Sequence, residues 1–414
     1  MKITYLHQYF NTPDMWGSHR SYEMAKRLVL KGHKVHVITA YLKGDKNKSF
    51  DTLIDGISVH WIPVPYSNHM SFDKRILAFI KFSLYSIPVV IKNRSDLIFA
   101  TSTPLTICIP ALIGKLFTNS KFIFEVRDLW PELPIAFMAI KNPLIIFFAK
   151  ALEKIAYYFA DVVIALSPGM KDGVIKGGKD SSSIAVIPNL CDFNLSKTNV
   201  PKLSSFISNF DDDKPVIAFT GAFGLINDLN WSVNLAFELE KINSNVQILL
   251  VGDGKTKKET EKKIESLELQ DRIRIIDPIS KKEMPIILNN LTMSLITFSD
   301  LPEMRNTSAN QFFNPFAPGR PVLVNFGGWI NKLITENNCG VDGWQKKISN
   351  VAKNVDLKCN DKEWLNTAGK NSLLLGKKYF DRDLAADNLN KIFISVLNGN
   401  NKISHHASEK YDLV

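Results

Sequence analysis

The sequence predicts an α/β protein with two doubly wound domains, each a Rossmann-like unit built on a parallel sheet. Short β-type runs alternate with helical patterns along most of the 414 residues, which is typical of parallel sheets covered by helices on both faces. The alternation stops at a polar stretch near the middle and then restarts. The length also exceeds the usual size of one domain, so we expect two sheets facing a cleft.

The predicted elements follow one another in a regular order. A polar stretch at 195–213, with three consecutive aspartates, indicates a linker. We therefore divide the chain into a domain at 1–195, a linker at 196–214, a domain at 215–380, a final helix at 381–398 and a flexible tail at 399–414. Strands are predicted at 2–7, 34–40, 57–62, 96–101, 121–126, 161–166 and 184–187, with a helix at 18–31, and then at 215–220, 246–251, 272–276, 291–297 and 321–324.

The composition is that of a soluble globular chain, because 45% of the residues are hydrophobic and 22% are charged. It excludes a collagen-like chain, a disordered chain and a membrane bundle. The net charge of +10 is uneven, since residues 1–194 carry 23 basic and 15 acidic side chains. A basic surface can meet nucleic acid, an anionic membrane or a phosphorylated ligand. No basic, aromatic-interleaved nucleic-acid motif is present, so we expect no nucleic-acid partner.

The cysteines indicate a reducing compartment. Cys108, Cys191, Cys339 and Cys359 are far apart and lack metal-ligand spacing, which in a chain of this size is typical of a cytoplasmic protein. The first residues start a strand directly, so we expect no signal peptide.

Two stretches, 72–94 and 141–160, mix aromatic and aliphatic residues with Lys and Arg. We expect neither to span a bilayer. They fit either two half-buried helices or a surface that lies on an anionic bilayer.

Ligands of such sheets bind at the carboxyl ends of the strands, so the loops after the strands are the candidate sites. The first loop ends in Gly17 and Ser18, followed by Arg20. Gly17 would let a diphosphate or a sugar approach the backbone, and Ser18 would be the N-cap of the helix. A plain helix cap explains the pair equally well.

The segment FEVRDLWPELP, residues 124–134, is the most distinctive loop of the first half. It places Glu125, Arg127, Asp128 and Trp130 together after an apolar strand. Packing alone hardly justifies such a set at the end of a strand, although a structural Arg–Asp pair is the alternative.

Three loops of the second half are candidates for a site that binds an anion. Gly221 follows one strand, in a stretch where phosphate oxygens could approach backbone amides. Gly252 follows the next strand, in a GxG that indicates no particular ligand and lacks the third glycine of a dinucleotide fingerprint. The stretch 302–324 gathers polar residues before and inside a predicted helix start, whose N–H groups would point at an anion. These residues are Arg305, Asn306, Ser308, Asn310 and Asn314.

Other catalytic motifs are missing. No P-loop, HExxH or GxSxG motif occurs in the sequence. Asp381 and Asp383 have the spacing of a metal-binding DxD, but they lie where the final helix starts and where acids favour the helix dipole.

These motifs, in this order, resemble glycosyltransferase family 4, the retaining GT-B enzymes that transfer sugars from nucleotide donors. The resemblance is strongest to the subgroup that builds O-antigen and capsule repeat units in bacterial polysaccharide and lipopolysaccharide biosynthesis. It covers the chain to about residue 397. The stretches that carry it are QYFNTPDMWGSHRSYEMAKRLVLKGHKVHVIT in the N-terminal region, EVRDLWPE at 125–132, VGDGK at 251–255 and RNTSANQFFNPFAPGRPVLV at 305–324.

The resemblance implies an N-terminal domain that binds the acceptor, a C-terminal domain that binds a nucleotide sugar, and a final helix that packs back toward the N-terminal domain. It implies transfer of an N-acetylated hexosamine or deoxyhexosamine from a UDP-sugar with retention, and no essential metal or other cofactor. The implied acceptor is a saccharide on undecaprenyl diphosphate. The enzyme would then be cytoplasmic and peripherally associated with the inner face of the cytoplasmic membrane.

Site residues are carried over by position. The expected catalytic residues are Arg127, which stands where many members have a histidine, and Arg305. The expected donor-binding residues are Gly17, Gly221, Gly252, Asn306, Ser308, Asn310 and Asn314. The expected acceptor-binding residues are Arg20, Glu125, Asp128 and Trp130.

The chain departs from the family pattern where the donor is held. An Arg and a Lys that clamp the diphosphate in many members are Ala222 and Asn227 here, and the subgroup's lysine is Gln311. Both acids of the E-x7-E motif are asparagines, Asn306 and Asn314. Arg305 could supply the missing positive charge. Two other functions therefore stay open, a non-catalytic nucleotide-sugar-binding family member and a GT-B UDP-sugar epimerase.

Overall fold

The computed structural model describes residues 1–15, 17–67, 70–137, 140–196, 199–208 and 210–403. The chain divides into two compact units. The first unit comprises Met1–Pro188, Asn306–Ser308 and the described residues from Arg382 onward, and the second comprises Asn189–Arg305 and Ala309–Asp381. Each unit is built on a single sheet, and the predicted α/β class with parallel sheets is confirmed.

The first unit has an eight-stranded sheet. Its order is β3-β4-β2-β1-β5-β6-β7-β8, and every neighbouring pair is parallel except the hairpin of β3 and β4. The central strand at 97–101 is buried at every position, as a strand covered on both faces requires. The strands are β1 (Lys2–Leu6), β2 (Lys34–Tyr41), β3 (Phe50–Ile54), β4 (Ile57–Pro63), β5 (Leu97–Thr101), β6 (Lys121–Val126), β7 (Val162–Ala165) and β8 (Ile184–Val186).

Six helices of the first unit alternate with these strands. One face of the sheet carries a core that includes Phe82, Phe122 and Phe124, and the helix at 108–118 contacts the helices at 72–93 and 143–159 there. The helices are α1 (Arg20–Leu30), α2 (Phe72–Asn93), α3 (Cys108–Thr118), α4 (Glu132–Ala136), α5 (Pro143–Phe159) and α6 (Pro168–Lys176).

The second unit has a six-stranded parallel sheet in the order β11-β10-β9-β12-β13-β14. Numbered from its own first strand, this is the 3-2-1-4-5-6 order of a doubly wound nucleotide-binding sheet. Its strands are β9 (Val216–Thr220), β10 (Gln247–Val251), β11 (Ile273–Ile276), β12 (Met293–Ile296), β13 (Val322–Val324) and β14 (Gly340–Asp342). Its helices are α7 (Leu229–Lys241), α8 (Lys257–Ser266), α9 (Met284–Asn290), α10 (Asn310–Phe313), α11 (Trp329–Glu336), α12 (Ile348–Asn360) and α13 (Lys362–Tyr379).

The last helix, α14 (Arg382–Leu397), belongs to the first unit although it follows the second unit in sequence. The Phe393 ring lies 5.2 Å from that of Phe99 in β5. Since Ile98 and Ala100 contact the core under α2 and α3, Phe99 points to the opposite face of the sheet, where α14 also contacts α1. Ion pairs of Arg27 with Asp383 (2.6 Å) and of Arg382 with Glu23 (3.0 Å) join the two helices.

The predicted linker does not behave as one. Leu195, Leu203, Ile207 and Phe210 are buried in a cluster with β9, β10 and α9, and the second unit begins at Asn189. These four apolar residues are irregularly spaced among many polar ones. The composition of the stretch therefore suggested a loose connection. Two strands were also missed, the short edge strands β3 and β14. Of the predicted flexible tail, residues 404–414 lie outside the described residues, whereas the Ile403 N–H donates to the Ser182 carbonyl (2.7 Å).

Helices α2, α3 and α5 expose many large apolar side chains, which we call the apolar surface. Among the described residues, α2 is the one helix that is long and apolar enough to cross a membrane, judged by length and composition only. A third of that segment is buried. The exposed members are Leu77, Ile80, Leu84 and Tyr85 on α2, Leu116 and Phe117 on α3, and Leu144, Ile145, Phe147, Phe148, Ile155, Tyr158 and Phe159 on α5.

Shortening Phe393 should destabilise the first unit, because the ring is fully buried against Phe99. We expect Phe393→Ala to cost about 3–5 kcal/mol, measured as a loss of unfolding free energy in urea. The adjacent Ile394 is exposed, so Ile394→Ala is the matched control and should change the midpoint little. Equal effects of the two substitutions would contradict this packing of α14.

Candidate functional site

Polar side chains gather at the carboxyl edge of the first sheet, where the central members are Arg20 and Glu125. Arg20 is the first residue of α1, and Glu125 lies near the end of β6. Arg20 Nη2 lies 2.8 Å from Glu125 Oε1, and the two side chains are only 3% and 1% exposed. Arg20 also donates to the carbonyls of Ile187 (2.9 Å) and Pro188 (2.5 Å), which follow β8. This ion pair therefore ties the start of α1 to the ends of two strands.

The Glu125 carboxylate is fully engaged inside the unit. Its second oxygen accepts a hydrogen bond from Thr101 Oγ1 (2.5 Å). Burial alone would raise the pKa of Glu125, but Arg20, the charge of Arg127 and the hydrogen bond from Thr101 together outweigh burial and hold that pKa below its ordinary value. Arg20 and Glu125 were predicted to contact the acceptor. Both side chains are buried and engaged by internal partners, an arrangement that orders the residues around them. The acceptor contact stays a prediction.

Arg127 lies beside this ion pair and is held by three contacts. Its backbone N–H donates to Ser102 Oγ (2.9 Å), its Nη1 donates to His7 Nε2 (3.1 Å), and its Nη2 donates to Ser18 Oγ (3.2 Å). Burial, together with the positive charge of Arg127, lowers the pKa of His7 well below its ordinary value. His7 is therefore a neutral acceptor that orients the guanidinium without cancelling its charge.

Asp128 and Trp130 continue the segment after β6, and both stay partly exposed. Burial raises the pKa of Asp128 to about 6, although the charge of Arg127 acts in the opposite direction. Asp128 is thus partly protonated in mildly acidic solution and only partly neutralises Arg127. Trp130 packs against the core under α2 and lies 6.4 Å from the Phe79 ring. These placements are compatible with the predicted acceptor contacts, which stay predictions.

The first loop closes on itself around Gly17. The φ of Gly17 is 123°, and a Cβ there would lie 2.6 Å from Asn11 Nδ2. His19 Nε2 lies within hydrogen-bonding distance of the carbonyls of Thr12 (3.0 Å) and Met15 (2.9 Å). The glycine is therefore explained by the packing of its own loop. His19, not Ser18, occupies the N-cap of α1, so the predicted capping role of Ser18 is wrong and its hydroxyl serves Arg127.

In the second unit, glycines line the carboxyl edge of the sheet after β9 and β10. A Cβ on Gly252 (φ 156°) would clash with the Gly221 carbonyl, and a Cβ on Gly221 would clash with Gln311 Oε1. Gly221, Gly252 and Gln311 thus meet at one place. Asn227, at the family's lysine position, donates to the Ala222 carbonyl inside its own loop. Where a cation was expected, the chain supplies backbone groups and neutral amides.

Arg305 is the cation on the polar stretch of the second unit. Its guanidinium lies 5.2 Å from the centre of the Trp344 ring, and the Asp300 carboxylate is 3.8 Å away. The side chain is 38% exposed, and its Nε has no hydrogen-bond partner among the described residues. Its carbonyl packs against Gly328 (φ 100°), where a Cβ would clash. The backbone is thus fixed while the charge stays available.

The remaining predicted donor residues are distributed differently from the expectation. Asn310 begins α10, a helix of only four residues, and Asn314 begins the 3-10 turn that follows. The predicted anion site at a helix start would therefore rest on a single helical turn, and it stays a prediction. Asn306 and Ser308 belong to the first unit, where the Asn306 carbonyl accepts from Ser167 Oγ (2.6 Å).

His7 was not predicted as part of the first cluster. It lies one residue beyond β1 and was assigned to the strand, although polar residues at strand ends are the signal used for the other loops. Ser102, directly after β5, carried the same signal.

Comparisons with known proteins identify what this arrangement resembles. A model described as Glycosyltransferase Family 4 matches residues 18–195, and one described as Glycosyl transferases group 1 matches residues 202–372. Alpha-D-kanosaminyltransferase from Streptomyces kanamyceticus is 22% identical over 182 residues, which are 44% of this chain and 46% of that protein. The chain therefore matches less than half the length of this curated relative.

Solved structures match nearly the whole chain. Sucrose-phosphate synthase from Thermosynechococcus elongatus superposes with a TM-score of 0.76 at 15% identity, covering 96% of this chain and 99% of that one. HepE from Anabaena, solved with UDP and glucose, superposes with a TM-score of 0.69 at 17% identity, covering 95% of this chain and 100% of that one. At such identities the likeness shows the fold alone, and the predicted GT-B fold is confirmed.

Removing the cation of the buried pair should destabilise the first unit strongly. We expect Arg20→Met to cost about 3–5 kcal/mol, because it leaves a buried carboxylate unpaired, whereas the double variant Arg20→Met/Glu125→Leu should recover most of that loss. Unfolding in urea measures both. Because the native pKa of Glu125 lies below its unfolded value, the pair stabilises at neutral pH and its contribution is lost as pH falls through the native pKa. A double variant no more stable than Arg20→Met would contradict this account.

Proposed function

Since the chain belongs to the glycosyltransferases of the GT-B fold, with a family 4 domain followed by a group 1 domain, we propose that it is an active, retaining transferase. It moves an N-acetylated hexosamine or deoxyhexosamine from a UDP-sugar to a saccharide on undecaprenyl diphosphate. The product belongs to O-antigen or capsule assembly. The proposed site of action is the cytoplasmic face of the inner membrane.

The observation that carries the donor proposal is the glycine-lined edge of the second sheet. Gly221 and Gly252 bring two strand-end loops so close that no side chain fits between them. Their own N–H groups donate to the carbonyls of Val251 and Ile276, so the N–H groups of the loop residues that follow them are the ones a diphosphate would meet. The UDP-bound HepE structure supports a uridine nucleotide. Arg305 supplies the charge, since the Asp300 oxygen at 3.8 Å only weakly neutralises it.

The proposed reaction needs little covalent chemistry from the protein. The anomeric carbon–oxygen bond to the diphosphate breaks, and the acceptor oxygen bonds to that carbon on the same face of the sugar. The acceptor proton passes to a phosphate oxygen, and UDP leaves. Negative charge grows on the diphosphate as the bond breaks, so a fixed cation such as Arg305 lowers the barrier. Metal independence is part of the proposal.

The acceptor side of the proposal rests on Arg127. Its guanidinium is held by His7 and Ser18 at the edge of the first sheet. Such a group can donate to sugar hydroxyls or to an anion on the acceptor. The buried pair of Arg20 and Glu125 fixes the base of this cluster, so the geometry does not depend on the acceptor being bound.

The apolar surface supports a membrane-bound acceptor. Helices α2, α3 and α5 carry seven basic residues and two acidic ones, Asp73 and Glu153. Burial, with the nearby Glu132 carboxylate, raises the pKa of Glu153 to about 7, so its negative charge is reduced near neutral pH. Exposed aromatic side chains beside lysines fit the interface of an anionic bilayer. We propose that this surface lies on the membrane.

A second candidate function is favoured by the neutral residues of the donor edge. Gln311 stands where the subgroup has lysine and lies against Gly221, and Asn227 is engaged within its own loop. A non-catalytic nucleotide-sugar-binding protein would tolerate both. It would bind UDP without transferring a sugar.

Transfer should be measurable with purified protein, a panel of UDP- and GDP-sugars and a lipid-diphosphate saccharide, scored by the mass of the product with and without EDTA. We expect one UDP-sugar to be used, EDTA to have no effect, and Arg305→Ala to lower kcat about 10²–10³-fold because charge on the leaving group loses its partner. Lys353→Ala, on the exposed face of α12, is the matched control and should keep full activity.

The same assay separates the two candidate functions. Thermal stabilisation by UDP without transfer from any donor would favour the non-catalytic protein. A silent wild type that Gln311→Lys and Asn314→Asp switch on would establish that reading.

Membrane association should depend on the aromatic residues of α5. We expect Phe147→Ala/Phe148→Ala to weaken binding to vesicles of phosphatidylcholine and phosphatidylglycerol by at least about tenfold, because two exposed rings that would enter the bilayer are lost. Cosedimentation measures this. The control is Leu357→Ala/Leu374→Ala, which removes two exposed leucines from the second unit. If the phenylalanine pair has no effect, or if the wild type ignores the vesicles, the apolar surface does not bind a bilayer.

A further inference from the structure

A row of aromatic rings runs along the carboxyl edge of the first sheet, and no step proposed above uses it. The rings of Tyr9 and Tyr66 are 5.0 Å apart, those of Tyr66 and Phe79 are 5.8 Å apart, and those of Phe79 and Trp130 are 6.4 Å apart. Tyr9 follows β1, Tyr66 follows β4, and Trp130 follows β6. We call these four residues the aromatic row.

The aromatic row connects the polar cluster to the apolar surface. Tyr66 and Trp130 pack on the core beneath α2 and α3, which is the side of the sheet that bears the apolar surface, and both remain partly exposed. Phe79 belongs to α2, whose neighbouring residues Leu77 and Ile80 are exposed. At the other end, Trp130 is three residues from Arg127. A ligand with a polar head and an apolar tail would find both kinds of surface along this line.

Arg75 provides a charge beside the row. It lies in the first turn of α2, is half-buried, and donates from Nε to the Tyr66 hydroxyl (3.0 Å). Its guanidinium is 5.7 Å from the centre of the Tyr66 ring. Among the described residues, no carboxylate forms an ion pair with it, and neither terminal nitrogen has an acceptor. A guanidinium fixed through Nε with two free nitrogens presents the fork that binds phosphate oxygens.

We propose that Arg75 and the aromatic row form a subsite for the diphosphate and the adjoining isoprenyl chain of the lipid-linked acceptor. The terminal nitrogens of Arg75 bind the diphosphate, and the faces of Tyr66 and Trp130 contact the first isoprene units. The inference rests on the proposed function, because it assumes a lipid diphosphate. It also assigns separate roles to the two arginines of this edge that are not neutralised. Arg75 binds the diphosphate and Arg127 faces the saccharide, whereas Arg20 is neutralised by Glu125.

Binding of geranyl diphosphate tests the subsite without any knowledge of the sugars. Calorimetry with saturating UDP, which occupies the donor side, should show binding to the wild type and at least about tenfold weaker binding to Arg75→Ala, as for the loss of a charge-assisted hydrogen bond. Arg75→Lys should lie between the two. Lys74→Ala removes the exposed neighbouring charge and is the matched control. Geraniol, which lacks the diphosphate, should bind all variants alike.

Two results would overturn the subsite. One is equal binding of geranyl diphosphate by the wild type and Arg75→Ala, with unchanged melting of the variant. The other is a wild type that binds geranyl diphosphate no better than geraniol. Tyr66→Phe gives a second variant that keeps the ring and removes the hydroxyl that anchors Arg75, and it should weaken binding severalfold.

Turnover separates this inference from the proposed function. With a saccharide on a prenyl diphosphate, Arg75→Ala should raise the acceptor KM at least about tenfold and leave the donor KM unchanged. With the same saccharide on a neutral alkyl chain, wild type and variant should be equal. Transfer that is insensitive to Arg75 would remove the subsite and keep the function. Binding that depends on Arg75 without any transfer would keep the subsite and remove the function.

Discussion

The buried ion pair of Arg20 and Glu125 is the interaction on which the first unit's functional edge depends. A single guanidinium reaches the carboxylate at the end of β6 and two carbonyls beyond β8, and the carboxylate also accepts from Thr101 at the end of β5. Burying two charges is favourable only when each is fully satisfied, and here both are. The pair fixes where α1 begins, and the start of α1 in turn places Ser18 against Arg127.

The carboxyl edges of the two sheets differ in their charged groups. The first sheet concentrates arginines at its edge, where Glu125 neutralises Arg20 and a neutral His7 orients Arg127 without cancelling its charge. The second has glycine backbone and amide side chains at 221, 252 and 311, with Arg305 beside Trp344. A diphosphate held mainly by backbone amides would bind with less charge attraction and more dependence on shape. That difference follows directly from the substitutions at Asn227 and Gln311.

Much of the fold followed from sequence, because buried parallel strands are apolar runs and the loops after them carry the polar residues. The pairing of Arg20 with Glu125 could not be predicted, since 105 residues separate them and each alone resembled a ligand-binding group. Edge strand β3 lacked an apolar run, and the stretch at 195–213 hid Leu203 and Phe210 among polar residues. Arg75 was noticed only as one more basic residue of a membrane-like stretch. The role of such a side chain depends on its contacts with residues that are distant in sequence, whereas sequence patterns report only on nearby residues.

The position of α14 also bears on how the protein is made. The first unit needs both ends of the chain, because Phe99 near the start is covered by Phe393 near the end. The residues of the second unit lie between Phe99 and Phe393 in sequence, so they are synthesised before α14. Throughout that time the nascent first unit carries an uncovered apolar patch on β5. Chaperones that shield such patches during translation would therefore act on this chain until its last helix emerges.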